Sequence, residues 1–416
     1  MKKSWRTATC TAPVVTTTDA HAMQGRWHIA IVGYGAAGQA ASLFLAEQGH
    51  QLSVFEQAAA PGPVGAGFLL QPTGLGVLAR LGLHEQALAQ GQRIERLYGC
   101  NVRGRCVMDM RYADHAPDCF GLGLTRGSLF TLLRDAYPDA AQIHTGVCIE
   151  AIEADGRHLR DSTGQRHGPF DLIVVADGAH SRLRASMPQL VQRQQTYPWG
   201  AMWCLLPADE WPHHDVLQQR YGGTREMIGL LPVGRRADRD GRWLTFYFSL
   251  PGDQVDAFDD AALTSLRERV TVLWPEAASL LASIRAPEQL QRARYRDVVL
   301  HTPVHGRVLF IGDAAHAMSP QLGQGVNMAL LDAQALADAV AATDDIEAAL
   351  KLYPRARRQH VAVYQRLSRW LTPLFQSERD GLARMRDLGF GPLGRMPLAK
   401  GQMLKILAGV KTGWWC

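Results

Sequence analysis

Lysine is nearly missing from this chain. Of its 416 residues only Lys2, Lys3, Lys351, Lys400, Lys405 and Lys411 are lysine, and none lies between residues 4 and 350. The body of the chain therefore has no lysine to act as nucleophile or general acid. No C-x-x-C pair occurs among the seven cysteines, Cys10, Cys100, Cys106, Cys119, Cys148, Cys204 and Cys416. That excludes zinc ribbons and iron–sulfur clusters, so no bound metal is expected. An odd, scattered set reads as reduced thiols in a cytoplasmic protein. No apolar run reaches the ~18 residues of a membrane-spanning helix, and none is expected. The net charge of +5 is mild and not gathered as a nucleic-acid groove requires, so no nucleic-acid partner is expected.

The first residues are unusual. Lys2, Lys3 and Arg6 precede a Thr/Ala-rich stretch, and Ala20-His21-Ala22 mimics a signal-peptidase site. The stretch between lacks an apolar run, which argues against a secretory signal. Residues 1–26 are expected to be a disordered extension, with Met23 as an alternative start.

Three motifs carry chemistry. The first is Gly33-Tyr34-Gly35-Ala36-Ala37-Gly38, between a short apolar run over 27–33 and a helical stretch from Ala36 to Gln48. The first glycine permits the tight turn, the second lets backbone N–H groups approach a pyrophosphate, and the third permits close helix–strand packing. The helix N-terminus then favours the phosphates. Glu56 follows Gly38 by 18 residues, at the end of the second strand, where its carboxylate can accept from ribose hydroxyls. It would repel a 2′-phosphate, so the dinucleotide is FAD or NAD rather than NADP.

The second motif is a buried strand over 170–176 that ends in Asp177-Gly178, with Arg182 four residues beyond Gly178. An Asp-Gly turn at a strand end is common and weak alone. The third motif is Gly312-Asp313-Ala314-Ala315-His316, then Pro320, Gly323-Gln324-Gly325-Val326-Asn327 and Asp332. Asp313 ends a buried strand and can hydrogen-bond a polyol. Residues 325–327 open a long helix over 325–343 whose free N–H groups suit a negative flavin edge. Between the second and third motifs, residues 199–206, 216–221, 226–231 and 242–250 alternate or run apolar between turns. They read as an antiparallel sheet of a different build. Residues 74–90, 261–285 and 347–386 read as helical, and 403–410 as a short apolar helix.

In order and spacing the three motifs resemble those of the group A flavoprotein monooxygenases, the family of p-hydroxybenzoate and salicylate hydroxylases. The resemblance covers residues 27 to about 345. It implies an α/β fold: a Rossmann-like FAD-binding domain with an inserted antiparallel-sheet substrate domain and C-terminal helices. The implied division is 27–190 and 296–345 for FAD, 191–295 for the substrate sheet and 346–416 for the helical region. It implies one FAD, with NADH or NADPH as a transient co-substrate. Gly33, Gly35, Ala36, Ala37 and Gly38 would hold the pyrophosphate, Glu56 the adenosine ribose, Asp313 the ribityl chain, and Gly323, Gly325, Val326 and Asn327 the flavin edge. Arg126, in Thr125-Arg126-Gly127-Ser128-Leu129, matches a cofactor-binding arginine, while Asp177, Gly178 and Arg182 match a turn linked to both FAD and NAD(P)H. Gly65-Ala66-Gly67 matches a loop near the isoalloxazine ring.

The implied reaction is hydroxylation or epoxidation of a small aromatic or lipophilic, electron-rich substrate. Oxygen would add to the reduced flavin, and the flavin hydroperoxide would deliver one oxygen atom. No catalytic side chain is named, because the flavin carries the reactive oxygen. Trp203, Met227, Phe246 and Tyr247 on the sheet, with Pro320, are the substrate-pocket candidates. Arg225 could bind a substrate carboxylate but reads rather as a turn arginine, and His316 is not a free base by position. Three other readings remain: an FAD-dependent reductase without oxygen chemistry, a flavin-dependent halogenase, and a non-catalytic FAD- or NAD-binding sensor, against which the intact motifs argue. The halogenase pattern Trp-x-Trp-x-Ile-Pro is not matched by Trp199-Gly200-Ala201-Met202-Trp203, and its lysine is missing. A monomer or homodimer is expected. The 403–410 helix is expected to pack on the body rather than touch a membrane.

Overall fold

A computed structural model of the protein describes residues 27–62, 65–137, 142–236 and 239–413. The extension expected over 1–26 lies outside the described residues, as do Trp414 and Trp415.

The runs His28–Val32 and Leu172–Val175 are apolar on both sides, so they can only be strands covered on both faces. They form the centre of a six-stranded sheet. Its order is Val304–His305, Val308–Phe310, Leu172–Val175, His28–Val32, Gln51–Glu56, Gln142–Thr145. All neighbours are parallel except the Val304–His305/Val308–Phe310 pair. Helices Ala36–Glu47 and Gly325–Ala341 cover one face with a core that includes Ile31, Phe44, Leu330 and Leu336. A second cluster, with Phe55, Phe170 and Phe310, fills the other face. The ends of three central strands thus run into the three glycine-containing turns read from the sequence.

The second layer is a seven-stranded sheet. Its order is Gln291–Leu300, Val191–Pro207, Trp243–Pro251, Glu226–Gly234, Val216–Gly222, Arg96–Asn101, Cys106–Arg111. The divisions expected at 190 and 295 need correction here. Arg96–Asn101 and Cys106–Arg111, from within 27–190, extend this sheet, and Gln291–Leu300 runs straight through 295. Edge hydrogen bonding recruits strands regardless of where they lie in the chain. The two faces separate with the period of two of an extended strand. Met202, Phe246 and Phe248 pack beneath helix Asp260–Leu273, while Met227, Tyr247 and Tyr295 lie on the opposite face. Phe246 is therefore core and not a pocket residue.

A small sheet of Gly67–Leu70, Gly121–Thr125 and Gln92–Ile94 stitches the layers together. Thr245 accepts the Gly67 N–H at 2.7 Å. Other differences from the sequence reading are local. The segment 74–90 is two helices, Pro72–Arg80 and His84–Gln90, interrupted at Gly82. The helical region 347–386 is Ile346–Phe375 followed by Asp380–Leu393. The last helix, Pro397–Leu407, packs on the body as expected. Leu404 and Leu407 are buried, and Gln324 Nε2 donates to the Leu407 carbonyl at 2.9 Å.

Candidate active site

The first turn is built by backbone crowding. A Cβ on Gly38 would stand 1.9 Å from the Gly33 carbonyl oxygen, and one on Gly33 would stand 2.4 Å from that of Ala176. A Cβ on Gly35, in contrast, would meet nothing within 4 Å. Two glycines therefore hold the turn, while the third leaves open the approach to the N-terminus of Ala36–Glu47. That N-terminus has no side-chain cap, so its first amides remain free as an anion site. Glu56 closes the turn from the next strand. Its carboxylate accepts the Tyr34 and Ala58 N–H groups, each at 2.9 Å.

The Asp-Gly turn packs directly against this one, since Gly33 lies on Ala176 and Asp177. Asp177 has a buried Oδ1 without a hydrogen-bond partner. Burial raises its carboxyl from the ordinary value, against a lowering contribution from Ser181. The arginine of this motif is Arg184 and not Arg182. Arg182 is exposed and lies 3.8 Å from Glu150. Arg184 is fully buried and donates to the carbonyls of Ala179 at 2.7 Å and Ala314 at 2.8 Å. It ties the second motif to the third, so the turn at Asp177 and the turn at Asp313 keep a fixed separation. The helix Arg182–Ala185 is a single turn that buries Leu183 and Arg184, too short for the sequence to show which arginine turns inward.

The third motif is anchored from behind. Asp332, fully buried, accepts the Gly312 N–H at 2.8 Å and pairs with His316 Nε2 at 2.5 Å and Arg357 Nε at 2.7 Å. Burial pushes its carboxyl upward, but His316 and Arg357 outweigh this and hold it well below the carboxylate range. His316 is thus engaged, as its position suggested. A carboxylate inside the apolar helix Gly325–Ala341 must have buried partners, a signal from which Arg357 can be anticipated. Helix Gly325–Ala341 also starts without a side-chain cap.

The third motif, the segment 65–69 and the seven-stranded sheet line a cavity of about 430 Å³. Arg126, Asp313, Gly323, Gly325 and Val326 line its motif side. Four of the five substrate candidates, Trp203, Met227, Tyr247 and Pro320, line it as well, and Phe246 does not. Trp203 and Tyr247 meet edge to face with ring centroids 4.6 Å apart. The Tyr247 hydroxyl accepts from Gln376 Nε2 at 2.8 Å, and burial raises it above the usual phenol range. Two neighbouring polar atoms, Trp203 Nε1 and the Tyr295 hydroxyl, are buried without a partner. Sequence reasoning missed Tyr295 because its strand, Gln291–Leu300, was placed at a domain boundary.

Asn327 departs from expectation. It is fully buried and does not line the cavity. Its side chain accepts the Gln71 N–H at 2.8 Å and donates to the Leu69 and Gly323 carbonyls. It pins the strand Gly67–Leu70 and the Gly323 turn to the helix. Arg225 is an exposed turn arginine beside Asp380 at 3.4 Å and lies outside the cavity. Gly33, Gly35, Ala36, Ala37, Gly38, Glu56, Asp177 and Gly178 also lie outside its lining, at the adjoining strand ends.

The FAD binding domain family model matches residues 26–368, most of the chain. The chain belongs to that family. It is a group A flavoprotein monooxygenase, an oxidoreductase that uses FAD. A probable 2-heptyl-3-hydroxy-4(1H)-quinolone synthase of Rhodococcus erythropolis is 29% identical over 373 residues, covering 86% of this chain and 92% of that protein. A 6-hydroxynicotinate 3-monooxygenase of Pseudomonas fluorescens is 25% identical over 362 residues, covering 82% and 90%. The fold matches the Klebsiella pneumoniae protein HpxO solved with FAD and uric acid, with a TM-score of 0.77 at 23% identity over 93% of this chain and 98% of that one.

The residues of this flavoprotein fit FAD. The open approach at Gly35, the two uncapped helix N-termini, the partnerless Asp177 oxygen and the Asp313 carboxylate at the cavity edge are the groups that a dinucleotide needs along its length. FAD, when bound, supplies the redox chemistry and the activation of oxygen. The chain's own contribution is to bind, orient and exclude water.

Proposed function

We propose that this monooxygenase hydroxylates an uncharged, electron-rich heteroaromatic compound, with NADH or NADPH as reductant and O2 as oxidant. The sheet wall of the cavity carries this reading. Leu217, Met227, Leu231, Trp203 and Tyr247 form it, with Gln219 and Thr245 as neutral polar groups. Four arginines also border the cavity: Arg292 and Arg294 have their guanidinium groups turned to Asp256, at 2.7 Å to its carbonyl and 2.8 Å to its carboxylate, while Arg126 and Arg296 complete the lining. A substrate carboxylate buried among Leu217, Met227 and Leu231 of this wall would lack a partner, which is costly. A ring carbonyl or hydroxyl would instead satisfy Trp203 Nε1 and the Tyr295 hydroxyl. The quinolone synthase among the relatives is consistent with this class. The chain holds substrate in a dry pocket beside the flavin edge, which suppresses wasteful side reactions.

The test is a panel of neutral quinolones, indoles and phenols beside their carboxylated analogues. Neutral ligands should accelerate NAD(P)H oxidation and oxygen uptake, and the carboxylated ones should not. Acceleration by carboxylates alone would overturn the assignment of the substrate class. NAD(P)H oxidation without oxygen uptake would favour a reductase. The described cysteines are unpaired, including Cys100 and Cys106 on facing strands, which supports a reducing cytoplasmic setting. Light scattering on the purified chain distinguishes monomer from homodimer.

A further inference from the structure

We propose that the C-terminal helices dock this protein onto an anionic phospholipid surface. Two independent features converge there. The first is charge. Residues 381–416 hold six Lys or Arg and a single acid, Asp387, and subtracting these from the chain's 44 and 39 leaves 38 of each sign. The whole formal excess of +5 thus sits in this last segment, and residues 1–380 are neutral. The charge that looked scattered along the chain sums to zero over residues 1–380 and shows its excess here. Asp387 is engaged by the buried Arg386 at 2.7 Å, Lys411 is buried and Lys400 pairs with Asp114 at 2.8 Å, so Arg384, Arg395 and Lys405 are the cations this face presents.

The second feature is apolar exposure. Nine large hydrophobic side chains stand exposed among the described residues, and five of them, Met385, Leu388, Leu393, Met396 and Leu398, fall between 385 and 398. Leu398 is 88% exposed. Along Asp380–Leu393, Met385, Leu388 and Pro392 recur on one stripe, while Ala383 and Arg386 face the protein. In Pro397–Leu407, Leu404 and Leu407 face inward, joining Leu69 and Leu231 of the cavity wall, and Leu398 stands on the opposite side. A concentration of exposed apolar groups marks a contact surface.

The flanking cations decide the occupant. Arg384 and Arg395 are exposed, and Lys400 and Lys405 are partly so. An apolar stripe rimmed by Lys and Arg is the pattern of a helix lying in the membrane interface. Each such cation near an anionic leaflet strengthens partition about fivefold. A second copy would bring an equally positive face against this one and be repelled. The two helices are short and lie along the surface, and among the described residues no helix is long and apolar enough to cross a membrane.

The experiment sediments the full-length, FAD-loaded protein with vesicles of phosphatidylcholine alone or mixed with phosphatidylglycerol. Binding is expected only with phosphatidylglycerol, weakened ~tenfold or more by high salt. The double variant Met396→Glu/Leu398→Glu should lose it while keeping its flavin absorbance and NAD(P)H oxidation. The variant Arg384→Glu/Arg395→Glu should lose the preference for anionic vesicles. No binding to anionic vesicles at low salt, or unchanged binding by both variants, would overturn the proposal. So would a concentration-dependent dimer abolished by Leu398→Glu in place of vesicle binding, which would assign the face to a second copy.

Discussion

The buried carboxylate of Asp332 holds the backbone N–H of Gly312 at 2.8 Å, one residue before Asp313. The same carboxylate is held by Arg357 from the helix Ile346–Phe375. Through this one side chain the C-terminal helices determine where the Gly312-Asp313 turn stands.

Asp332→Ala leaves Arg357 as a buried, unpaired cation and frees the Gly312 amide. A loss of about 3–5 kcal/mol of stability is expected, with weaker FAD retention. Urea melts and the flavin-to-protein absorbance ratio measure both. An unchanged melt would show that the network is not structural.

The glycines of the first turn separate packing from binding. Gly38→Ala drives a methyl into the Gly33 carbonyl, 1.9 Å away, and is expected to fold poorly. The Cβ of Gly35→Val meets no protein atom within 4 Å, so its thermal melt without flavin should stay close to the parent, whereas FAD affinity should fall at least ~100-fold as the side chain occupies the pyrophosphate approach. Equal flavin content in Gly35→Val would mean that the cofactor runs elsewhere.

Tyr295→Phe removes a buried hydroxyl that has no protein partner. Little stability should be lost, because the hydroxyl makes no well-formed hydrogen bond, only loose polar contacts with Trp203 and Tyr247. KM for a neutral substrate should rise ~5–10-fold, the worth of one neutral hydrogen bond, while the basal NAD(P)H oxidation rate stays the same. A change in basal rate with KM constant would place the hydroxyl on the cofactor instead.

His360 is buried between Arg357 NH1, at 2.8 Å, and the Gly409 carbonyl, at 2.8 Å. Burial and then the Arg357 charge lower its pKa to about 4. The folded chain keeps it neutral, while the unfolded chain protonates it near the ordinary value of about 6.5. Its stability contribution is therefore intact above about pH 6.5 and lost as pH falls towards 4, by at most about 3 kcal/mol. Urea denaturation over that window should show the slope, and His360→Gln should flatten it. An identical slope in the variant would assign the acid sensitivity to other groups.

Much of this site was legible because its chemistry is local. Strand, glycine turn and helix follow one another at Gly33 to Gly38, and again at Gly312 to Asn327, so backbone sterics and free amides can be read in order. Trp203, Met227 and Tyr247 were found because each sits on a strand of recognisable period. Long-range partnerships were not legible. Arg184 rather than Arg182 is the buried arginine, because the turn of one short helix decides which side chain points inward. Asn327 faces the strand Gly67–Leu70, far away in sequence, and no local pattern reports that. The sheet's recruitment of Arg96–Asn101 is likewise a matter of edge pairing, which spacing along the chain does not encode.

The most direct measurement of the central claim uses purified, FAD-loaded protein with NAD(P)H, a neutral heteroaromatic substrate and isotopically heavy oxygen gas, with mass spectrometry of the product. One heavy oxygen atom in the product, formed as substrate accelerates NAD(P)H oxidation, is the result expected of a monooxygenase with this cavity. Product carrying oxygen from water alone, or NAD(P)H oxidation with no oxygen entering any substrate of the panel, would contradict it.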